Sequence, residues 1–271
     1  MTIAILGCGY VGSAVGSALA ALGHEVIGTT TTPARTGELE GLGIAPAVLT
    51  LADGARLAPL LADRELVVLT VAAGRRGGNY REVYFEGVGH VLAALADSRV
   101  EHVVYTSSTA VYAQDDGQWV DEDSPTEPTS ERGRVLLAAE NRLLEGARRS
   151  GRTATVLRLS GIYGPGREPV DWVRRDAGGA RSDGDAYLNL VHRDGIVQAC
   201  CRLVEVRYDG VLNLSEDSPR PRRDVYDRLL AAEGLAAIRW VDREGSISRG
   251  KRISNARLKR VLGINLSPVS D

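Results

Sequence analysis

Residues 2–12 read TIAILGCGYVG, and how they are read decides the fold. Thr2–Leu6 is a short apolar run rich in strand formers, and GSAVGSALAALG after Val11 has the small, alternating composition of a tightly packed helix. Between them stand Gly7, Gly9 and Gly12, spaced G-x-G-x-x-G at the junction of a strand and a helix, the context in which that spacing carries meaning. Gly7 permits a tight turn, Gly9 lets the backbone approach a diphosphate, and Gly12 lets helix and strand pack closely. The helix start then offers unpaired amides, those of Tyr10 and Val11 included, and a partial positive charge to phosphate oxygens.

Outward from this motif the pattern repeats. HEVIG, ELVVLTVAA, HVVYTSS and TATVLRLS are short buried-strand runs, and helical stripes are expected over 10–22, 81–96 and 135–150. The alternation predicts an α/β fold: a doubly wound parallel sheet of the Rossmann type with a smaller C-terminal α/β substrate lobe. Residues 1–160 are expected to form the dinucleotide-binding core. Residues 161–271 form a mixed segment that completes the sheet and builds the lobe. Two stretches, 113–130 and 163–187, are rich in proline, glycine and charge and read as long loops.

Totals narrow the partners. The chain has 271 residues, 44% of them hydrophobic, enough for one large domain with an appended lobe. With 33 basic against 35 acidic residues it offers no basic face for nucleic acid, so a small-molecule substrate is expected. Cys8, Cys200 and Cys201 lack the spacing of a metal site and suit a reduced, cytoplasmic protein. The N-terminal run has no basic leader and reads as a strand, not a signal peptide. No apolar run approaches the ~20 residues of a membrane span.

Beyond the second strand the chain reads VIGTTTTPAR, with no carboxylate where an acidic residue would hold the adenosine ribose of NAD. Thr30 and its neighbours can donate hydrogen bonds, and Arg35 can reach a 2′-phosphate. The cofactor expected is therefore NADP, with NAD as the alternative.

GCGYVG (7–12), VVLTVAAG (67–74), YTSSTAVYA (105–113), LRLSGIYGPG (157–166) and NLVHRDG (189–195) occur in that order. Together they resemble the extended and atypical short-chain dehydrogenase/reductases, the NAD-dependent epimerase/dehydratase family. The C-terminal KRISNARLKRVLG is similar to the YeeZ-like atypical subgroup. The resemblance implies that Ala72 and Ala73 border the cofactor's ribose and phosphates, that Ser107 and Ser108 end a strand beside the nicotinamide, and that Ile162 and Tyr163 lie near its carboxamide. Thr109, Tyr84 and His192 are the candidates on the substrate side, and family habit suggests a homodimer.

Members of that family use a tyrosine as acid or base, with a lysine four residues later that lowers the phenol's pKa. Here the stretch is SERGRVLLAAE (130–140). Arg132 stands at the tyrosine position and Leu136 at the lysine position, and no lysine precedes Lys251. Ser108 is then the candidate for binding a substrate oxygen, Tyr163 for the proton, and Arg132 for stabilising an oxyanion or gripping an acidic substrate. Three functions follow in order: a redox enzyme or epimerase, a non-redox lyase, isomerase or cyclase, and an NADP-binding regulator.

Overall fold

The runs expected to be strands pair side by side in the computed structural model, which describes residues 1–73, 79–241 and 249–266. The chain begins β1 (Thr2–Leu6), α1 (Gly12–Ala21), β2 (Glu25–Thr30), α2 (Thr36–Gly41), β3 (Ala45–Val48), α3 (Gly54–Leu61) and β4 (Leu66–Leu69). It continues through α4 (Gly87–Ala94), β5 (His102–Ser108), β6 (Asp116–Val120), α5 (Glu131–Arg149) and β7 (Thr153–Leu159). Then come β8 (Gly161–Tyr163), α6 (Pro169–Val173), β9 (Ala180–Arg181), β10 (Tyr187–Leu188), β11 (Leu190–His192), α7 (Arg193–Val206) and β12 (Gly210–Leu214). The last elements are β13 (Arg220–Pro221), α8 (Arg222–Ala232), β14 (Arg239–Trp240), β15 (Gly250–Ile253) and α9 (Ala256–Leu262).

Seven strands form one parallel sheet in the order β12-β7-β5-β4-β1-β2-β3. The winding reverses between β1 and β4, and a crevice opens beyond the carboxyl ends of strands at such a reversal. Strand side chains alternate between two cores. Ile3 and Ile5 pack with Val15, Leu19, Ile196 and Leu203 on one face, while Ala4 and Leu6 pack with Leu57, Val91 and Leu143 on the other. No helix among the described residues is long and apolar enough to cross a membrane.

The expected helices are present with shifted ends. The first starts at Gly12 rather than residue 10. The second enters through one π-helical turn, Glu82–Glu86. The third begins at Glu131, where Ser130 Oγ accepts the Gly133 amide at 3.0 Å and caps it. The two expected loops need correction. Residues 113–130 contain β6, which pairs in parallel with β15, and 163–187 contains α6 and β9. The partner strands lie more than a hundred residues and about sixty residues further along the chain. Nothing local in their polar sequences announces the pairing.

A buried ion pair joins these parts. Glu140 of α5 meets Arg158 of β7 at 2.7 Å, with side chains 1% and 6% exposed. Arg158 also donates to Tyr112 Oη at 2.8 Å, Tyr112 donates to Asn213 Oδ1 at 2.8 Å, and the Asn213 amide donates to Glu122 at 2.7 Å. Arg257 of α9 stands 3.5 Å from Glu122. Desolvation pushes the Glu140 carboxyl upward, and Arg158 pulls against it.

Removing the carboxylate with Glu140→Ala leaves a buried guanidinium uncompensated. It is expected to cost about 3–5 kcal/mol, with Glu140→Gln costing less, as read from urea denaturation midpoints. A second expectation concerns His102, fully buried between Thr153 Oγ1 (2.7 Å) and Thr155 Oγ1 (3.2 Å). Burial lowers its pKa from 6.5 to about 4. Below 6.5 the unfolded chain takes up a proton that the native state refuses, so stability falls as the pH drops toward 4, by roughly 3 kcal/mol in total. A His102→Gln variant should lack that component of the pH dependence in denaturation curves recorded between pH 7 and 4.5.

Candidate active site

The strand-to-helix turn at the end of β1 is built as its glycines require. Gly7 has φ +101°, and a Cβ there would lie 2.9 Å from the Val71 backbone. A Cβ on Gly12 would stand 2.2 Å from the Gly7 carbonyl oxygen, so any side chain would push α1 off β1. Gly9 is different: nothing lies within 4 Å of its missing Cβ. The turn is pinned from β2 and β4, with the Gly7 amide donating to Thr29 Oγ1 at 2.9 Å and Thr70 Oγ1 donating to the Gly7 carbonyl at 2.8 Å. The N-terminus of α1 has no side-chain cap; the Ser13 amide donates to the Gly9 carbonyl at 3.1 Å, and the Gly12 amide before it meets no capping side chain.

The turn forms the floor of a cleft of about 680 Å³. At one end the walls are Thr30–Thr32, Arg35 and 49–52; at the other they are Thr106, Ser107, Ser108, Leu136, Leu159 and Ile162. A cleft lined by the ends of β2 and β5 and by the glycine turn, with nothing within 4 Å of the missing Gly9 Cβ, fits a dinucleotide, its diphosphate against the glycine turn.

Of the residues singled out in the sequence, Gly7, Gly9, Tyr10, Val11, Thr30, Arg35, Ala72, Ser107, Ser108, Ile162 and Tyr84 line this cleft. Gly12 supports it from beneath. Ala73 stands next to Ala72 and donates its amide to Tyr84 Oη at 3.3 Å. Arg35 is engaged on two sides: its guanidinium forms a forked pair with Glu38 (2.6 and 2.9 Å) and donates to the Cys8 carbonyl, bracing the glycine turn. Ser107 Oγ donates to the buried Glu140. Ser108 Oγ accepts the Ala110 amide at 3.2 Å, which leaves its hydroxyl hydrogen free to donate into the cleft.

Four candidates lie off the walls. Tyr163 is buried, hydrogen-bonded to Glu216 and packed edge-on against His192, and burial with that carboxylate raises its pKa far above the ordinary phenol value. His192 caps α7 by accepting the Asp194 amide at 3.2 Å. Thr109 donates to the Leu159 carbonyl at 3.4 Å. Arg132 is exposed, and its guanidinium carbon lies 5.7 Å from the centre of the Tyr80 ring. The tyrosine of the YGPG segment and the histidine of the HxD segment therefore contribute packing and capping here, because each polar tip finds a partner inside the protein.

Two cleft residues matter more here than their sequence context suggests: Tyr80, by sequence a weaker proton candidate than Tyr163, and Arg167, which the sequence does not mark. Tyr80 lines the cleft, its ring centre 4.5 Å from that of Tyr84 with the planes tilted by 46°, and packs against the cluster that holds Leu136. Burial and the neighbouring Tyr84 raise its pKa to about 12, with Arg132 pulling it down. The i, i+4 spacing of Tyr80 and Tyr84 is the sequence signal that would raise its rank among the tyrosines. Arg167 also lines the cleft. It comes from a segment read as an irregular loop.

The chain belongs to the NAD dependent epimerase/dehydratase family, whose model matches residues 3–212. Over 267 residues it is 30% identical to Protein YeeZ of Escherichia coli (strain K12), covering 96% of this chain and 94% of that protein. Among solved structures, a functionally unknown conserved protein from Silicibacter pomeroyi DSS is 29% identical with a TM-score of 0.76, covering 98% of this chain and 93% of that one. UDP-glucuronic acid 4-epimerase from Bacillus cereus, solved with UDP-glucuronic acid and NAD, shares the fold at TM-score 0.82 and 20% identity, over 100% and 95% of the two chains.

The different surroundings of the glycines give a test. Gly9→Ala should leave the thermal melting temperature unchanged while weakening dinucleotide binding. Gly12→Ala should lower the melting temperature itself, because the intruding methyl meets backbone.

Proposed function

We propose that this chain is an NADP-dependent oxidoreductase or epimerase of the atypical short-chain dehydrogenase/reductase type, acting on a small-molecule carbonyl, imine or hydroxyl substrate without the usual Tyr/Lys pair. The observation that carries this reading is a dinucleotide-shaped cleft whose reactive end presents Ser108, Tyr80 and the apolar Leu136. The glycine turn, Ala72, Ser107 and Ile162 would hold the dinucleotide, and Thr30–Thr32 with Arg35 would hold its adenosine end. When bound, the nicotinamide supplies hydride transfer.

The chain's own groups bias the direction of the chemistry. Ser108 has a hydroxyl hydrogen to give to a substrate oxygen as charge builds on it. Tyr80, with its pKa near 12, is protonated at neutral pH and can donate but not abstract. Leu136 puts a methyl-bearing wall where the family's ammonium would sit, and the pull of Arg132 on the Tyr80 phenol is outweighed by burial and by Tyr84. Proton donation accompanies reduction, whereas oxidation of a hydroxyl needs a base; the residues present favour the reductive direction. The same leucine supports a second reading, a non-redox lyase, isomerase or cyclase that keeps the dinucleotide as a structural group.

Arg35 decides the adenosine end. Its pair with Glu38 is half-exposed, and solvent-accessible pairs are worth little, so a 2′-phosphate can displace the carboxylate. Calorimetry should show NADPH binding to the wild type. Arg35→Ala should weaken NADPH about tenfold or more beyond any loss for NADH, the size of a charge-assisted hydrogen bond, because the brace on the Cys8 carbonyl serves both dinucleotides and only NADPH carries the 2′-phosphate. Equal losses for both would remove the NADP assignment, and no binding of either would remove the dinucleotide reading. Turnover of a substrate with no absorbance change at 340 nm would select the non-redox alternative.

A further inference from the structure

We propose that Arg167, delivered by the Gly164–Arg167 turn across the cleft, is the cation that neutralises the bound dinucleotide's diphosphate, held in place by the ring of Tyr10. The inference rests on the reading of the cleft as a dinucleotide site.

The geometry begins with Tyr10, which follows Gly9 in the glycine turn. Arg167 lies over its ring, guanidinium carbon 4.1 Å from the centroid, and Arg193 stands 5.1 Å from the same ring. The tip of Tyr10 is buried, its hydroxyl without a hydrogen-bond partner among the described residues. A Cβ built on Gly164 would stand 3.1 Å from that hydroxyl and 2.9 Å from His192 Nε2. Tyr10 is thus wedged between the glycine turn and the Gly164 turn and couples their positions.

The second turn is rigid. Gly164 and Arg167 form a closed bridge, the Arg167 amide donating to the Gly164 carbonyl at 2.7 Å and the Gly164 amide returning to the Arg167 carbonyl at 3.3 Å. Gly164 and Gly166 take φ +135° and +75°, conformations that side chains resist. Arg167 therefore leaves this turn in a fixed direction, onto Tyr10 and into the cleft.

The two arginines differ in what they already hold. Arg193 is mostly covered and stands 3.7 Å from Asp194. Arg167 is exposed, and among the described residues no carboxylate lies within ion-pairing distance of it. The glycine turn itself offers only amides and a helix terminus, a partial charge of about one half against the two charges of a diphosphate. A full positive charge stacked on the turn's own tyrosine supplies the remainder, and a guanidinium matches phosphate oxygens in a bidentate manner. A nucleoside diphosphate in the substrate would present the same chemistry. The stacking on Tyr10, a member of the glycine turn, assigns Arg167 to the dinucleotide.

The test compares wild type, Arg167→Met, Arg167→Lys and Arg193→Met by calorimetry with NADPH, NADH, ADP-ribose and UDP. Arg167→Met should weaken NADPH, NADH and ADP-ribose by a common factor of about ten. Arg167→Lys should recover part of that, and Arg193→Met should lose less. The loss should shrink between low and high salt, which a purely structural effect would not do, and melting temperatures should stay unchanged. If the wild type binds NADPH and Arg167→Met binds it equally well, the assignment falls while the dinucleotide reading stands. If the wild type binds none of the dinucleotides or ADP-ribose, the reading of the cleft falls first. A loss confined to UDP would transfer Arg167 to a substrate diphosphate and overturn the proposal.

Discussion

The buried pairing of Glu140 with Arg158 is the interaction on which the arrangement of the site depends. A carboxylate and a guanidinium taken out of water are tolerated only when their remaining lone pairs and protons are used. Here they are: Ser107 donates to Glu140 from the cleft wall, and Tyr112 accepts from Arg158 behind it. Through Asn213, Glu122 and Arg257 the same chain of polar contacts reaches the last strand of the sheet and the C-terminal helix. Helix α5 is therefore held at one height against the sheet. That height decides which of its residues meet the cleft.

The consequence is visible one and two turns before Glu140. Leu136 enters the wall, and Arg132 stands outside it over Tyr80. Gly133 allows this approach, since a Cβ there would lie 2.8 Å from the Ala110 carbonyl and 2.6 Å from Pro128. Arg132 and Leu136 stand on α5 at the positions where the family resemblance implies a tyrosine and a lysine. A tyrosine from a different segment, Tyr80, occupies the neighbouring space. Its high pKa follows from burial beside another tyrosine with no ammonium close by, which is the opposite of the environment a tyrosine base needs.

Much of this was legible in the residues. The glycine spacing after TIAIL announced the turn and the sheet, because only a strand running into a helix uses three glycines in that way. The missing lysine was legible by inspection, since an ammonium requires one. The roles of Tyr163 and His192 were not legible, because a tyrosine in a YGPG segment reads the same whether it faces the cleft or Glu216. Strand β6 was hidden for a related reason: DGQWV has no marked alternation, and its partner β15 lies far along the chain. Arg167 was hidden in a stretch whose composition says only that it turns.

By itself the sequence determined the class of fold, the glycine turn between β1 and α1 and the absence of any lysine before Lys251, since these rest on local stereochemistry and on which side chains exist. Tertiary structure alone decided which polar tips point into the cleft. That choice is made by partners distant in the chain: Glu216 takes Tyr163, the start of α7 takes His192, Glu140 takes Ser107, and Ser108, Tyr80 and Arg167 are left facing the space. A buried polar group goes where its hydrogen bond is satisfied, and the satisfying partner is known only once the chain has folded.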